Sequence, residues 1–415
     1  MKARFILVSV LVVLSILMAA CQPAAEPPAA TSAPAEAPAA PAETDVCEAD
    51  EFGCAKIEPG SKIKIGMGAP MTGDNAQFGI DISQGALIAL QDAGEIEGFG
   101  FELVAEDDGG SPEGGAAVAN KLASDPNVVA IAGHIFSGAT DAAMPIYEGK
   151  GIPMMSPSAT NPPLTQKGSK VFNRVAFTDA AQGKFAAEYL FENLGVKKLA
   201  TMHDGQSYGQ GLSEVVATRF QELGGELVAT EAITPGETDY SAPLSAIAAK
   251  GPEAVYYGGY VQEAVVLVNQ WAQSGLEGVT FFGCDGTYGE DFINRSGANG
   301  EGSYAVALVP AASDAVTTFN AAYQSQFGSA AGALSPFTWN AYDSAAVLVA
   351  AIKAVAFKGD DGNLYIPRGA LSAAVRNTKD FQGLSGVLSC DAVGECNASG
   401  PIFYVVKDGQ WVPAE

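Results

Sequence analysis

Short apolar runs alternate with amphipathic segments along most of the chain, and this alternation predicts two α/β units. The first group of predicted strands is Lys62–Gly66, Phe101–Ala105, Val128–Gly133 and Ile152–Ser156, with helices at Gly79–Ala93 and Glu113–Ser124. The second group has strands Lys197–His203, Glu226–Ala232, Ala254–Gly258 and Val279–Gly283, with helices Gly209–Leu223, Tyr240–Lys250 and Gln262–Ser274. Strands that alternate with helices over short connections favour parallel sheets covered on both faces.

The last third of the chain has a different pattern, with long helices followed by isolated extended pieces. The predicted elements are helices Asp314–Phe327, Phe337–Phe357 and Arg368–Lys379 and strands Leu384–Ser389 and Ile402–Lys407. Because these are too few for a third α/β domain, we expect them to complete the first two. The predicted fold is two doubly wound α/β domains joined by a hinge that the chain crosses several times. The expected lobes are residues 58–178 with 308–398, and 179–307 with 399–415.

A cleft between two such lobes is the expected ligand site. Ligands of open α/β sheets bind beyond the carboxyl ends of the strands. Two sheets that face each other across a hinge therefore form a cleft that closes on a small molecule.

The N-terminal residues have the pattern of a targeting segment followed by a tether. Lys2 and Arg4 precede an apolar run from Phe5 to Ala20, which spans only about 24 Å as a helix and so favours a signal peptide (residues 1–20) over a membrane-spanning helix. The run ends in small residues and Cys21, which resembles the lipidation motif of bacterial lipoproteins; the alternative is an ordinary signal peptide with a chance cysteine. Residues 22–44 are almost only Ala, Pro, Glu and Ser, so we expect residues 21–57 to be an extended tether and a lead-in.

Cysteine spacing predicts two local disulfides in an oxidising compartment. Cys47 lies close to Cys54, and Cys390 lies close to Cys396. A structural zinc site needs four ligands at tighter spacing, so the disulfide interpretation is favoured. Cys284 is left without a predicted partner.

The charge balance excludes several classes of partner. There are 22 Lys and Arg against 47 Asp and Glu, giving a net charge of −25, which removal of Lys2 and Arg4 would change to −27. Such a chain is unsuited to neutralising nucleic-acid phosphates or to docking on anionic lipid. Two histidines cannot form a His-rich metal site, and we expect no metal and no cofactor.

A possible hydrolase motif fails on the order of its residues. Gly205–Gly209 has the G-x-S-x-G pattern between a strand and a helix, but a hydrolase of that kind needs a histidine after the serine, and His203 is the last histidine. A Cys284–His203 thiol pair has no local support, and His134 is expected to be a hydrogen-bonded loop residue. The carboxylates at 106–108 are expected to be a solvated strand end, the alternative being polar contacts on the hinge side. We therefore expect no enzyme.

Hydroxyl and aromatic residues recur where predicted strands end, and they form the candidate ligand site. These residues are Ser137, Thr140, Ser156, Ser158, Thr160, Tyr208, Tyr260 and Asp285. Hydroxyls and helix N-termini hold an anion such as a carboxylate, while an enclosed acid holds a cation such as an ammonium. One site for each charge fits an α-amino acid zwitterion, although turns are rich in Ser and Thr in any protein.

Five short segments, which occur in a fixed order along the chain, together resemble one known protein family. They are Ala69–Gly73, Gly133-His134 with Ser137, Ser156–Pro162, His203-Asp204 with Tyr208-Gly209, and Tyr256–Tyr260. Together, from about Lys62 to Trp411, they resemble the branched-chain amino acid (Leu/Ile/Val) substrate-binding proteins of ABC transporters. The resemblance implies the type I periplasmic-binding-protein fold, in which two lobes close like a Venus flytrap.

The same resemblance implies a set of ligand-binding residues. They are Phe78, Ser137, Ser158, Ala159, Thr160, Tyr208, Tyr260 and Asp285. Asp285 stands where the family usually has the Glu that pairs with the ligand ammonium, and Phe78 stands where a Tyr is common. The family often has a disulfide that joins the segments at Gly110 and Phe136, and this chain has neither cysteine.

The resulting expectation is a monomeric, lipid-anchored solute-binding protein outside the cytoplasm, in the periplasm or at the cell surface. It would capture a branched-chain amino acid by hinge closure and deliver it to an ABC permease. One alternative keeps the fold but binds urea, a short amide or another carboxylate. Another is a sensor module that reports to a membrane partner.

Overall fold

The computed structural model describes residues 43–396 and 400–414, with side chains from residue 46 onward. The predicted signal peptide, the lipidation of Cys21 and most of the tether therefore lie outside the described residues. None of the helices in the described part has the length and apolar character needed to cross a bilayer.

Strands and helices alternate through the described residues much as the pattern predicts. The strands are β1 Cys54–Ile57, β2 Ile63–Ala69, β3 Glu95–Ile96, β4 Phe99–Asp107, β5 Val128–Ile131, β6 Met154–Ser156, β7 Phe172–Arg174, β8 Lys198–His203, β9 Glu226–Ala232, β10 Ala254–Gly258, β11 Thr280–Phe282, β12 Tyr304–Ala307, β13 Phe357–Lys358, β14 Leu364–Pro367, β15 Phe381–Gln382, β16 Val387–Leu388, β17 Ile402–Lys407 and β18 Gln410–Pro413. The α-helices are α1 Glu43–Ala49, α2 Ala76–Ala93, α3 Pro112–Ser124, α4 Ser137–Glu148, α5 Pro163–Gln166, α6 Asp179–Glu188, α7 Ser207–Glu222, α8 Ser241–Ala248, α9 Val261–Gln270, α10 Glu290–Ser296, α11 Asp314–Phe327, α12 Thr338–Val355 and α13 Arg368–Arg376.

The first lobe is built on a six-stranded sheet in the order β3-β4-β2-β5-β6-β7. All its pairings are parallel except that of β3 with β4. Strand β5 is buried along its whole length, as expected for a central strand with helices on both faces. Helix α12 returns from late in the chain and lies against α2, so this lobe is discontinuous in sequence.

The second lobe is built on a seven-stranded sheet in the order β18-β17-β12-β11-β10-β8-β9. Its central strands are parallel, while the C-terminal hairpin β17–β18 adds antiparallel at one edge. The chain thus passes from the first sheet to the second after β7, returns to the first lobe after β12 through α12, and joins the second sheet again at β17. This confirms two interleaved α/β units, and the predicted lobe boundaries themselves stay a prediction.

Local sequence explains where several helices begin. The Ser111, Thr178 and Ser313 hydroxyls accept hydrogen bonds from backbone N–H groups in the first turns of α3, α6 and α11. Helix α11 ends at Gly328, whose φ of 81° favours glycine.

Both predicted disulfides, Cys47–Cys54 and Cys390–Cys396, are present. The end of the predicted lead-in forms a strand, because β1 pairs antiparallel with β14 in a small sheet with β13. The helix predicted to reach Phe357 ends at Val355, since Phe357 joins that same sheet. The strand predicted over residues 384–389 is reduced to β16.

Candidate functional site

The carboxyl ends of strands from both sheets meet around one small cavity. Its lining residues are Phe78, Ile135, Phe136, Ser137, Ser158, Tyr208, Tyr260, Gly286 and Phe337. The cavity measures about 10 Å³, which is room for about one water molecule. The two lobes are therefore in contact across the cleft, and they must separate to admit anything larger.

The first wall of the cleft is made by the N-terminus of α4 and by the loop over residues 156–161. The Ser137 hydroxyl accepts a hydrogen bond from the backbone N–H of Asn161 at 3.3 Å. The Ser158 hydroxyl donates to the carbonyl of Ile135 at 2.8 Å. Helix start and loop are thus joined, which places hydroxyls and backbone N–H groups on one surface, the arrangement that binds an anion.

Within that loop, Ser156 and Thr160 have contrasting roles. The Ser156 hydroxyl donates to the carbonyl of His134 at 2.6 Å and accepts from the N–H of Ala159 at 3.0 Å, so it shapes the loop. The Thr160 hydroxyl is fully buried and has no partner at hydrogen-bond geometry. Because a buried hydroxyl normally has a partner, Thr160 is a candidate for bonding to a ligand.

The second wall is centred on Asp285, which follows β11 and is 1% exposed. One carboxylate oxygen accepts hydrogen bonds from the Gln182 amide, at 2.7 Å, and from the Tyr208 hydroxyl. Burial raises the pKa of the Asp285 carboxyl above its usual range, and the Tyr208 and Gln182 hydrogen bonds oppose that rise. A carboxylate held this way in a closed cleft favours a cationic partner.

A second buried carboxylate, Asp179, lies near Asp285 and was not found from sequence. Neither of its oxygens has a partner at hydrogen-bond geometry, although Thr160 and Gln182 lie near enough to favour its ionised form. Burial, and then the charge of Asp285, raise the pKa of Asp179 well above its usual range. Asp179 and Gln182 share one face of the first turn of α6, three residues apart, and that spacing was the available signal.

Aromatic rings from both lobes fill the middle of the cleft. Tyr260 of the second lobe stacks on Phe136 of the first, with ring centroids 4.1 Å apart and planes at 11°. Phe78 meets Phe136 edge-on at 5.6 Å, and Tyr208 lies 5.2 Å from Tyr260. This cluster, Phe78, Phe136, Tyr208 and Tyr260, is an apolar surface suited to an uncharged side chain.

Two predictions concern polar residues outside the cleft, His134 and the carboxylates at 106–108. His134 is buried between Asp108, at 2.8 Å, and the Tyr147 hydroxyl, at 3.0 Å, which confirms it as a hydrogen-bonded residue. The expectation that residues 106–108 form a solvated strand end is wrong for Asp108, which is 2% exposed because it contacts His134. The segments at Gly110 and Phe136 do lie together, without cysteines to join them.

The residues that were considered for catalysis are held by packing and hydrogen bonds of the fold. Cys284 is buried, and burial raises the pKa of its thiol, which disfavours a reactive thiolate. In the G-x-S-x-G turn, a Cβ at Gly209 would lie 2.3 Å from the carbonyl oxygen of Gly258, so close strand–helix contact explains that glycine. The ring of His203 accepts a hydrogen bond from the N–H of Gly205.

Known proteins similar to this chain are solute-binding proteins. The model of the family described as periplasmic binding protein matches residues 62–412. A Leu/Ile/Val-binding protein homolog 1 of Brucella suis is 31% identical over 359 residues, covering 84% of this chain and 91% of that protein. An amino acid binding protein of Pseudomonas aeruginosa is 37% identical over 238 residues, or 57% of this chain and 63% of that protein.

A solved structure extends the similarity to three dimensions. The branched-chain amino acid transporter substrate binding protein LivJ of Streptococcus pneumoniae, in complex with isoleucine, is 29% identical, with a TM-score of 0.74. The match covers 85% of this chain and all (100%) of that one.

Proposed function

Since this chain belongs to the periplasmic binding protein family, we propose that it binds a branched-chain amino acid between its lobes and delivers it to an ABC importer. Its fold is the type I periplasmic-binding-protein fold. The family is one of extracytoplasmic solute-binding proteins, and we propose that Cys21 carries a lipid that anchors this member at the membrane surface.

The observation that carries the proposal is the buried carboxylate of Asp285, which is bonded to Tyr208, a residue that lines the closed cleft together with Ser137 and Ser158. In the proposed complex, Asp285 pairs with the ligand ammonium, and Thr160 adds a hydrogen bond to it. Ser137 and Ser158 bind the ligand carboxylate, and the backbone of Ala159, which is bonded to Ser156 and Arg174, supports them. Tyr208 contributes by orienting Asp285, since its hydroxyl donates to that carboxylate.

The apolar side chain of the ligand is proposed to lie among the aromatic rings. Phe78 and Tyr260 offer apolar surface there, and neither carries a charge that would favour a polar side chain. The stacking of Tyr260 on Phe136 joins the two lobes. Entry of a ligand therefore requires those rings to separate as the hinge opens, and closure then encloses both charges and the side chain.

A thermal-shift screen tests this assignment. The purified protein, without its first twenty residues and with Cys21 replaced by Ser, is heated with each of the twenty amino acids, urea and short amides. Binding to the folded state raises the melting temperature by mass action, so leucine, isoleucine and valine should give the largest shifts. Shifts with urea or amides alone would support a different ligand class, and no shift with any amino acid would overturn the proposal.

A further inference from the structure

The loop that carries Ser158, Ala159 and Thr160 is held from behind by a fully buried arginine. Arg174, at the end of β7, donates from one guanidinium nitrogen to the carbonyls of Ala159, at 2.9 Å, and Asn161, at 2.8 Å. The carbonyl between them, that of Thr160, accepts from the backbone N–H of Asp179 at 3.0 Å. Three successive carbonyls are therefore fixed, and with them the direction of the Thr160 side chain.

A buried guanidinium needs a negative partner, and here a carboxylate from far along the chain supplies it. Glu395 accepts from Arg174 Nε at 2.9 Å and also from the outer guanidinium nitrogen, which makes a two-point ion pair. The Thr165 hydroxyl also donates to Glu395, at 2.7 Å. Glu395 keeps 18% of its side chain exposed, so it neutralises Arg174 from the lobe surface.

Glu395 belongs to the short loop over residues 390–396, which the Cys390–Cys396 disulfide closes. The backbone of this loop pairs with β7: the N–H of Arg174 donates to Gly394, and the N–H of Cys396 donates to Arg174, both at 2.9 Å. A Cβ at residue 394 would lie 2.4 Å from the carbonyl oxygen of Phe172, so the close approach requires glycine. The disulfide-closed loop is thus attached to the strand that bears Arg174.

We propose that the Cys390–Cys396 loop is a positioning element for the ligand-binding loop, acting through Glu395 and Arg174. The disulfide keeps Glu395 in place, Glu395 neutralises and orients Arg174, and Arg174 holds the carbonyls on either side of Thr160. Glu395 and Arg174 are positioning residues, because neither lines the cavity. The effect on affinity rests on the proposed function, whereas the effect on loop order does not.

The second disulfide of the chain provides a matched control. Cys47–Cys54 closes a loop of similar length that ends at the first residue of β1, and that loop accepts hydrogen bonds from the backbone at Arg368, Gly369 and Ala370. The double variants C390S/C396S and C47S/C54S should both lower the melting temperature. Only C390S/C396S should weaken leucine binding, by about tenfold, measured by titration calorimetry; tenfold is the scale of one charge-assisted hydrogen bond.

Hydrogen–deuterium exchange of the peptide containing residues 156–162 gives a readout that does not need a ligand. C390S/C396S should speed exchange in this peptide, while C47S/C54S should leave it unchanged. In Glu395→Gln, which keeps an acceptor but loses the charge, both exchange and affinity should fall between wild type and Glu395→Ala. If the wild-type protein binds no amino acid, the proposed function is refuted. If exchange in the variants still follows these expectations, the positioning role of the loop is nevertheless supported. Unchanged exchange in C390S/C396S, or equal loss of affinity in the two disulfide variants, would overturn the positioning role.

Discussion

Replacement of Asp285 by Asn is expected to weaken ligand binding without lowering the stability of the protein. Asn has nearly the same shape as Asp and can still accept hydrogen bonds from Tyr208 and Gln182. It removes the negative charge that we propose to pair with the ligand ammonium. The substitution therefore isolates the charge from the shape of the cleft.

The structure sets the scale of the affinity loss. Asp285 is 1% exposed in the closed cleft, so solvent screens its charge little. A charge-assisted hydrogen bond contributes about 1.5–3 kcal/mol, and loss of one partner of a buried pair costs about 3–5 kcal/mol. We expect leucine to bind Asp285→Asn about 100-fold more weakly, with a far smaller change for 4-methylpentanoate, the same molecule without its amine.

Stability without ligand should not fall. Burial raises the pKa of Asp285, so the folded state holds a proton more tightly than the unfolded chain does. A carboxyl with a raised pKa loses its contribution to stability as pH rises from its unfolded value through its folded value. At pH 7, which lies above the unfolded pKa of 3.8, the wild-type protein has lost part of this stabilisation. Asn carries no charge, so the variant avoids the cost of burying a negative charge near Asp179. The variant should therefore unfold at the same temperature as wild type or higher.

The assays are titration calorimetry with leucine and with 4-methylpentanoate, and thermal unfolding without ligand. Asp343→Asn is the control, since Asp343 is a buried carboxylate that bonds to the loop at Leu384 and Ser385, away from the cleft. The control should change stability and leave the ratio of the two affinities unchanged. Equal loss of affinity for both ligands in Asp285→Asn would refute the assignment of the ammonium to Asp285.

Three further predictions concern Asn161, Tyr260 and Asp81. Asn161 donates across the cleft to the carbonyl of Ser207 at 2.5 Å, so Asn161→Ala should weaken leucine binding by about 2–10-fold, mainly through faster dissociation in stopped-flow traces. Tyr260→Ala removes the ring that stacks on Phe136, and calorimetry should show at least about tenfold weaker leucine binding. Burial raises the pKa of Asp81 from 3.8 to about 6, so raising the pH from 4 to 7 should destabilise wild type relative to Asp81→Asn by roughly 2 kcal/mol in urea unfolding.

Each of these predictions has an outcome that contradicts it. Asn120→Ala removes an amide that bonds within an exposed helix of the first lobe, and it should leave leucine dissociation unchanged. If Asn161→Ala behaves like Asn120→Ala, the cross-cleft bond does not stabilise the closed state. Unchanged leucine affinity in Tyr260→Ala would show that the Tyr260 ring does not contribute to leucine binding. Parallel stability curves for wild type and Asp81→Asn would show that Asp81 titrates as it does in the unfolded chain.

The sequence pattern predicts the longer buried strands, but it misses short buried strands such as β7 and strands that form through distant partners. Strands such as β10, which is buried throughout, produce apolar runs that are visible without a structure. Strand β1 has only four residues, one of them an exposed lysine, and it exists because β14 pairs with it from more than three hundred residues away. Two-residue strands such as β16 carry no periodicity of their own.

Some residues of the candidate site could likewise be identified from sequence, and others could not. Ser137, Tyr208 and Asp285 follow predicted strands, so the rule that ligands bind at strand ends identified them. Gln182 bonds to Asp285 across 103 residues, and Arg174 bonds to Glu395 across 221. No local pattern marks such pairs, because their roles depend on which segments the fold brings together.

A crystal structure with leucine bound is the most direct test of the proposed charge pairing. We expect leucine between the two lobes, with its amine nitrogen about 2.7–3.2 Å from a carboxylate oxygen of Asp285 and its carboxylate at Ser137 and the loop over residues 156–161. Leucine bound outside the cleft would contradict the account. So would an amine that points away while Asp285 remains bonded only to Tyr208 and Gln182.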